Sequence, residues 1–433
     1  MARITRGTAK AMSNRETNFQ REQGCKTRFL QPLFSVTGGT VSHTSIPWRV
    51  TSELWKSEAQ SYQILQSICT RWLATQLEPI PLSSHPNFTP DTDVSIIIPL
   101  VGLPSATFLE AIETWITNSP LEIIVVTPES NYHSLQSAVK HIPHQNTHLA
   151  ITTVPKASKR QQLSRGITKA RGSILVLADS DVLWQPTLLV HLLAAFEDPT
   201  IGGVGPFTKI VRKHNSIPEF IMHRRFVQRY RHIAATFIVD GHLICLSGRT
   251  AAYRAQILKD ETFLREFTND YWKGNLLDSG DDAFITRWIQ ERGWRAVLQV
   301  ASQAEVFTWA SDGWRIVGQW IRWTRNSKRS FWRYLSCWDV FSRQSYFALN
   351  MVESLLRPFL SIWFVMGFCS RTLSEKTRFR ICSIWICFGL LQCLADFEDW
   401  PLSVSGIAIS LLMDIYIVVF DVWGILSLSN TAR

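Results

Sequence analysis

The chain has 433 residues, enough for one large domain or two ordinary ones, and a formal net charge of +10 at pH 7. This charge indicates an anionic partner, such as lipid headgroups or a nucleotide diphosphate. No zinc-finger spacing and no aromatic-glycine RNA motif supports nucleic acid, so we expect no nucleic-acid partner; a basic nucleic-acid-binding protein, which would need no detergent for solubility, is the alternative.

The first ninety residues carry no motif of an active site. Residues 1–47 are basic and lack periodicity, which predicts a disordered N-terminus. No apolar core of signal-peptide length follows Met1. Residues 48–90 are predicted to form an amphipathic helix, too polar to span a bilayer, followed by a Pro/Ser linker.

Residues 91–312 alternate strand and helix patterns. Val94–Pro99, 122–126 and 174–178 are β-rich apolar runs, typical of buried parallel strands. This alternation predicts an α/β fold with a mostly parallel sheet flanked by helices. Ligands of such sheets bind beyond the carboxyl ends of the strands. At those ends lie Pro99, Thr127 and Asp179.

Two carboxylates, Asp179 and Asp181, follow the third strand. Hard oxygen ligands suit Mg²⁺ or Mn²⁺, which keep open positions for phosphate oxygens. Lys159 and Arg160 begin the helix before this strand, and we expect them to reach a diphosphate. The alternative for both is a solvated helix face.

A second acidic pair, Asp281 and Asp282, follows Gly280 and begins a helical pattern. Helix capping explains one of the two carboxylates, and the other is left for chemistry. A carboxylate within hydrogen-bond reach can take the proton of an attacking hydroxyl. Further upstream, Ser247 and Gly248 are small enough to let a ligand approach the backbone.

Residues 313–345 interleave Arg and Lys with Trp, which predicts interfacial helices in a lipid headgroup layer. Gln319 and the pair Arg322 and Trp323 lie three and four positions apart, on one helix face. Arg can neutralise a diphosphate, and Trp can stack on a sugar ring or anchor the interface.

Residues 346–433 contain three apolar stretches, at 347–369, 381–395 and 402–428. We predict membrane segments, although polar residues interrupt them and the second is short for a span. A buried helical subdomain is the alternative. Lys and Arg concentrate on the N-terminal side of the first stretch, which predicts that the α/β domain is cytosolic.

Four elements together resemble family 2 glycosyltransferases of the membrane polysaccharide-synthase kind, such as hyaluronan, chitin and cellulose synthases. The likeness is strongest to fungal capsular-polysaccharide-synthase-like type 2 glycosyltransferases and covers residues 92–335. It implies a GT-A-like fold, a UDP-sugar donor, a divalent metal and inversion at the sugar. The elements are Val94–Pro99, Asp179–Asp181, Gly280–Asp282 and Gln319–Trp323.

The resemblance also implies roles for single residues. Asp179 and Asp181 correspond to the metal and nucleotide carboxylates, and Asp282 to the general base. Lys159 corresponds to a nucleotide-contacting lysine. In many relatives a carboxylate after the second strand binds the nucleobase, and Glu129 is the candidate here. The diphosphate and acceptor signature corresponds to Gln319, Arg322 and Trp323.

The expected function is therefore a membrane-bound transferase that adds a sugar to the hydroxyl of a growing polysaccharide. No span precedes Val94, which puts a polymer channel in doubt. Addition of one or a few sugars to a lipid or small-molecule acceptor is the alternative. The intact acidic motifs argue against an inactive relative, and no G-x-G-x-x-G follows a strand as in dehydrogenases.

Overall fold

The computed structural model describes residues 65–143, 146–310, 315–335, 337–369, 374–396 and 404–431. Predictions for residues 1–47 and for the start of the amphipathic helix lie outside these ranges; residues 65–74 are helical as expected. The strands are β1 Val94–Pro99, β2 Glu122–Pro128, β3 His148–Val154, β4 Ile174–Ala178, β5 Val182–Trp184, β6 Ile201–Pro206, β7 Thr208–Ile210, β8 Thr250–Arg254, β9 Tyr271–Trp272, β10 Asn275–Leu276, β11 Arg295–Gln299 and β12 Val306–Thr308.

The helices are α1 Ala106–Thr117, α2 Tyr132–Val139, α3 Lys159–Lys169, α4 Leu188–Leu193, α5 Ile217–Asp240, α6 Ala255–Leu258, α7 Glu261–Thr268, α8 Asp281–Glu291, α9 Arg315–Tyr334, α10 Trp338–Arg343, α11 Ser345–Cys369, α12 Glu375–Asp396 and α13 Val404–Leu426. A single helical turn, Pro90–Asp93, precedes β1.

A seven-stranded sheet has the spatial order β11-β6-β8-β4-β1-β2-β3. All neighbours pair in parallel except β8, which is antiparallel to β4 and β6. A smaller, three-stranded sheet has the order β5-β12-β7. The predicted α/β fold with a mostly parallel sheet is confirmed.

Helices cover both faces of the sheet, which is why its central strands are continuous apolar runs. Ile96 and Ile98 join a core that includes Trp115 of α1. Ile97, one position along, joins the opposite core with Leu163 of α3. The candidate site lies at the carboxyl ends of the central strands, which run between these two cores.

The C-terminal apolar stretches form α11, α12 and α13. Among the described residues, no helix combines the length and apolar character needed to cross a membrane. The predicted transmembrane helices are therefore not confirmed. Polar contacts join these helices to α9: Lys328 Nζ lies 3.3 Å from Asp421 Oδ1, and Arg325 Nε donates to Ser427 Oγ at 3.0 Å.

Candidate active site

The acidic site begins where β4 ends. Asp179 is the first residue after the strand, and its backbone N–H donates to the carbonyl oxygen of Arg249 at 3.0 Å. This bond fixes the turn beside the loop that precedes β8. Asp181, two residues later, is exposed to solvent just before β5.

Lys159 joins the two acidic motifs that the sequence separates by a hundred residues. It opens α3, where the Ser158 side chain accepts the N–H of Gln161 as the helix cap. Its buried Nζ lies 2.9 Å from Asp179 Oδ1 and 2.8 Å from Asp281 Oδ2. One ammonium group thus neutralises a carboxylate from each motif.

The second motif starts α8. Gly280 has φ +75°, in the left-handed region that favours glycine, and the chain turns there into the helix. Asp281 is buried, whereas Asp282 keeps accessible surface and accepts the N–H of Ala283 at 2.8 Å. A Cβ on Gly248 would lie 3.2 Å from Asp282 Cβ, so the small residue permits this close approach.

Five of the predicted residues line one pocket, and Asp179 and Asp181 follow the strand whose last residue, Ala178, also lines it. Surrounding protein and the neighbouring Asp179 raise the pKa of Asp181, although Arg249 and Lys159 act in the opposite direction. The pocket is lined by Lys159, Ser247, Gly248, Asp281 and Asp282, with apolar side chains that include Leu163 and Ile285.

Arg249 is a component of the site that the sequence did not reveal. Its guanidinium lies 4.4 Å from the ring centre of Phe226 and 5.1 Å from that of Trp323. Burial lowers its pKa to about 10, although Asp179, Asp181 and Asp282 favour the charged form. Arg249 thus connects the carboxylates with the Gln-x-x-Arg-Trp helix. Its only sequence signal is its place after Ser247-Gly248.

The prediction that Arg160 contacts a diphosphate needs correction. Arg160 is 2 % exposed and donates to Asp270 Oδ2 at 2.9 Å and to the Ser279 carbonyl at 3.1 Å. Its charge is thereby committed to the segment that leads into Gly280. Asp270 Oδ1 also forms an ion pair with Arg333 Nη2 of α9 at 2.7 Å. The sequence analysis did not predict that two arginines share Asp270.

The remaining predicted residues do not line the pocket. Gln319 and Arg322 are half-buried on α9, with Trp323 stacked near Arg249. Glu129 is exposed just after β2, at the carboxyl edge of the sheet. Their roles in binding substrate stay predictions.

The two carboxylates after β4 are the candidate ligands of a divalent metal. In the described ranges no group of three or more His, Cys, Asp or Glu side chains is arranged to hold one. Asp179 and Asp181 nevertheless fit a cation that takes further oxygen ligands from a diphosphate, because both are hard ligands. Desolvation, and after it the neighbouring Asp179, raises the pKa of Asp181, and a bound cation would favour its ionised form.

Comparisons with known proteins agree with this geometry. A family profile described as "Glycosyltransferase like family 2" matches residues 92–326. The chain is 30% identical over 375 residues to a type 2 glycosyltransferase of Zymoseptoria tritici, covering 82% of this chain and 77% of that protein. It is 28% identical to the NDP-glycosyltransferase ltbB of Aspergillus luteorubrus, covering 86% and 94%.

Two further similarities are more distant. Human hyaluronan synthase 3 is 28% identical over 163 residues, which cover 37% of this chain and 29% of the synthase. A mannosyltransferase from Pyrobaculum calidifontis, solved with GDP-Man and Mn²⁺, superposes with a TM-score of 0.57 at 14% identity. That match covers 89% of this chain and all of the neighbour, and it supports the GT-A-like fold.

Proposed function

The chain belongs to glycosyltransferase family 2, and from this premise we propose that it transfers a sugar from a UDP-sugar to an acceptor hydroxyl with inversion. The observation that carries the proposal is the pairing of Lys159 with both Asp179 and Asp281. It brings a diphosphate-compatible cation and two carboxylates beside Asp282.

In the proposed reaction the acceptor oxygen forms a bond to the anomeric carbon while the bond from that carbon to the diphosphate breaks. Asp282 takes the hydroxyl proton, and UDP carries away the bonding electrons. Lys159 and Arg249 hold the departing diphosphate by their charge. A Mg²⁺ or Mn²⁺ ion on Asp179 and Asp181 would supply further charge neutralisation. The mannosyltransferase from Pyrobaculum calidifontis was solved with Mn²⁺, which supports metal use.

The proposed acceptor is a growing polysaccharide, in keeping with the similarity to hyaluronan synthase 3. The second candidate is addition of one or a few sugars to a lipid or a small molecule. It is favoured by the match to the NDP-glycosyltransferase ltbB, which spans 94% of that protein. Product size after a timed reaction distinguishes the two, because only repeated transfer lengthens the product.

We also propose that the protein associates with a membrane surface, its catalytic domain on the cytosolic side. Large apolar side chains of the C-terminal helices are exposed, which is unusual for a protein surface in water. Examples, with their exposed fractions, are Trp338 at 79%, Phe359 at 60%, Met366 at 68% and Phe379 at 74%. Flotation with liposomes tests this proposal, and recovery of the whole protein in the dense fraction contradicts it.

The activity is tested with purified protein, Mn²⁺ or Mg²⁺ and a panel of UDP-sugars, with UDP release as the readout. We expect one or a few donors to release UDP and excess EDTA to abolish the release. Release by the Asp181→Ala variant should not be restored by added metal. Failure of every UDP-sugar, together with no binding of UDP, contradicts the proposal.

A further inference from the structure

The segment that follows α13 is held against the middle of α9 by two arginines. Arg329 donates from Nε to the carbonyl oxygen of Leu428 at 3.2 Å, and from Nη2 to the carbonyl oxygens of Leu428 at 2.9 Å and Asn430 at 2.5 Å. Arg325, one turn earlier, donates to Ser427 Oγ at 3.0 Å. Carbonyl groups at and beyond the last turn of a helix have no intrahelical partner, and they attract a cation. The segment is therefore anchored to α9 as well as to its own helix.

Close packing holds the same part of α13. A Cβ on Gly424 would lie 2.6 Å from Thr324 Cγ2, so the glycine permits the close approach of α13 to α9. Arg329 is only 3% exposed, so its hydrogen bonds are shielded from water. Charge-assisted hydrogen bonds in such surroundings are strong and fix geometry. The end of α13 and the middle of α9 therefore constrain each other.

Arg329 also reaches the turn that carries the predicted base. Its Nη1 donates to Asn326 Oδ1 at 3.3 Å, and the Ser279 hydroxyl donates to the same oxygen at 3.0 Å. A Cβ on the next residue, Gly280, would lie 3.3 Å from Asn326 Cγ, so this amide packs directly on the turn. Asp282 follows in the first turn of α8. One amide oxygen therefore joins the segment after α13 to the start of the helix that carries the base.

We propose that Arg329 and Asn326 are positioning residues of the active site, and that residues 427–430 are the segment that orients them. The carbonyl groups of this segment hold the guanidinium from one side, and its Nη1 holds the amide oxygen of Asn326 on the other. That oxygen fixes Ser279, and with it the start of α8. The inference rests on the proposed function, because the position of Asp282 as a base matters only in the transfer reaction.

The first test separates positioning from donor binding. Asn326→Leu removes the shared acceptor oxygen at similar size, and Arg329→Gln removes the guanidinium. A small displacement of a catalytic group costs about tenfold to a hundredfold in rate, so both variants should lower kcat for UDP release by about this factor. Because the diphosphate is proposed to lie on Lys159, the KM for the UDP-sugar and the Kd for UDP with Mn²⁺ should stay within about threefold of wild type.

Conservative and matched variants identify the connection. Asn326→Asp keeps an acceptor oxygen for the Ser279 hydroxyl and for Arg329, so it should keep most of the turnover. Arg325→Gln is the matched control, because it removes the same charge from the same helix, and its guanidinium binds the Ser427 hydroxyl of the same segment. Its kcat should stay within about twofold of wild type. The double variant Asn326→Leu/Arg329→Gln should be within about twofold of the slower single variant, because both changes break one connection.

Amide hydrogen exchange of the full-length protein follows the turn itself, independently of turnover. The N–H of Phe284 donates to the Gly280 carbonyl oxygen at 3.0 Å in the first turn of α8. Loss of a hydrogen bond to a charged group corresponds to about tenfold in an opening equilibrium. Asn326→Leu and Arg329→Gln should therefore speed exchange in a peptide that covers 279–285 by about tenfold, and leave a peptide that covers β1 unchanged. If Arg329→Gln does not fold, Arg329→Lys is measured, which keeps the charge but loses the paired donors.

The inference is overturned if exchange at 279–285 is unchanged in both Asn326→Leu and the Arg329 variant, whatever their turnover. It is equally overturned if Arg325→Gln lowers kcat as much as Arg329→Gln, because the effect would then follow from the lost charge on α9. A wild-type protein that neither binds UDP nor releases it from any UDP-sugar counts against the proposed function. UDP release together with unchanged exchange at the turn counts only against the positioning inference.

Discussion

Lys159 is expected to compete with the metal for Asp179. Its Nζ donates charge-assisted hydrogen bonds to Asp179 and Asp281, at 2.9 and 2.8 Å. A cation that binds Asp179 and Asp181 has to share Asp179 Oδ1 with this ammonium group. Replacing Lys159 by Ala should therefore strengthen the binding of Mn²⁺ while it weakens the binding of UDP, because the diphosphate loses a cation.

The size of the effect follows from the contacts. A hydrogen bond to a charged group contributes about 1.5–3 kcal/mol, which corresponds to about 10- to 100-fold in affinity. The side chain of Asp179 is 34% exposed, so solvent screening moves the expectation to the lower end. We expect Lys159→Ala to bind Mn²⁺ about tenfold more tightly without nucleotide, and UDP about tenfold more weakly.

Calorimetric titration with Mn²⁺, and then with UDP at saturating Mn²⁺, measures both changes. Lys169→Ala is the matched control, because this exposed lysine lies on the same helix. An unchanged or weaker affinity of Lys159→Ala for Mn²⁺ would refute the competition. A parallel gain in both affinities would show that the lysine does not serve the diphosphate.

Three further outcomes are expected. Asp282→Asn should lower turnover by about two to four orders of magnitude with UDP affinity retained, since only the proton acceptor is lost; wild-type turnover would contradict its role as the base. The pKa of Asp181 is raised above its ordinary 3.8, so ionisation of this side chain destabilises the fold as pH rises. Asp181→Asn should therefore increase Tm at pH 7, and the gain should shrink toward pH 4. An equal gain at both pH values would count against this explanation. Asp270→Ala should lower the free energy of unfolding by about 3–5 kcal/mol, because it leaves Arg160 buried without its acid; a loss below about 1 kcal/mol in chemical denaturation would contradict this.

The sequence predicted the sheet and the acidic edge of the site for a simple reason. Uninterrupted Val and Ile runs are compatible with strands buried on both faces, and parallel strands end on one edge. Asp179 could therefore be placed from local pattern. Its contact with Lys159 was not predicted, because the sequence analysis assigned Lys159 only to the diphosphate.

The failures concern partners that lie far apart in the chain. Lys159 and Arg160 are adjacent, but successive helical residues point about 100° apart. One therefore meets Asp179, while the other meets Asp270, 110 residues away. Arg249 follows two small residues and carries no periodic signal. The apolar C-terminal stretches predicted helices correctly, but their spacing could not reveal that Lys328 of α9 pairs with Asp421 of α13.

The shared acid at Asp270 has a consequence for catalysis. It binds Arg160 of α3 and Arg333 of α9, and Arg160 in turn holds the Ser279 carbonyl just before Gly280. The Ser279 hydroxyl also donates to Asn326 of α9 at 3.0 Å. The helix that carries Trp323 is thereby fixed to the turn that carries the predicted base.

A base acts only when it lies within hydrogen-bond reach of the hydroxyl, and small misplacements are costly in rate. The ionic network fixes α9 relative to α8, so it also fixes the position of an acceptor that contacts α9. Arg160, although it touches no substrate in the proposed reaction, therefore acts as a positioning residue. A buried arginine beside a catalytic motif can be needed for turnover without contacting the donor.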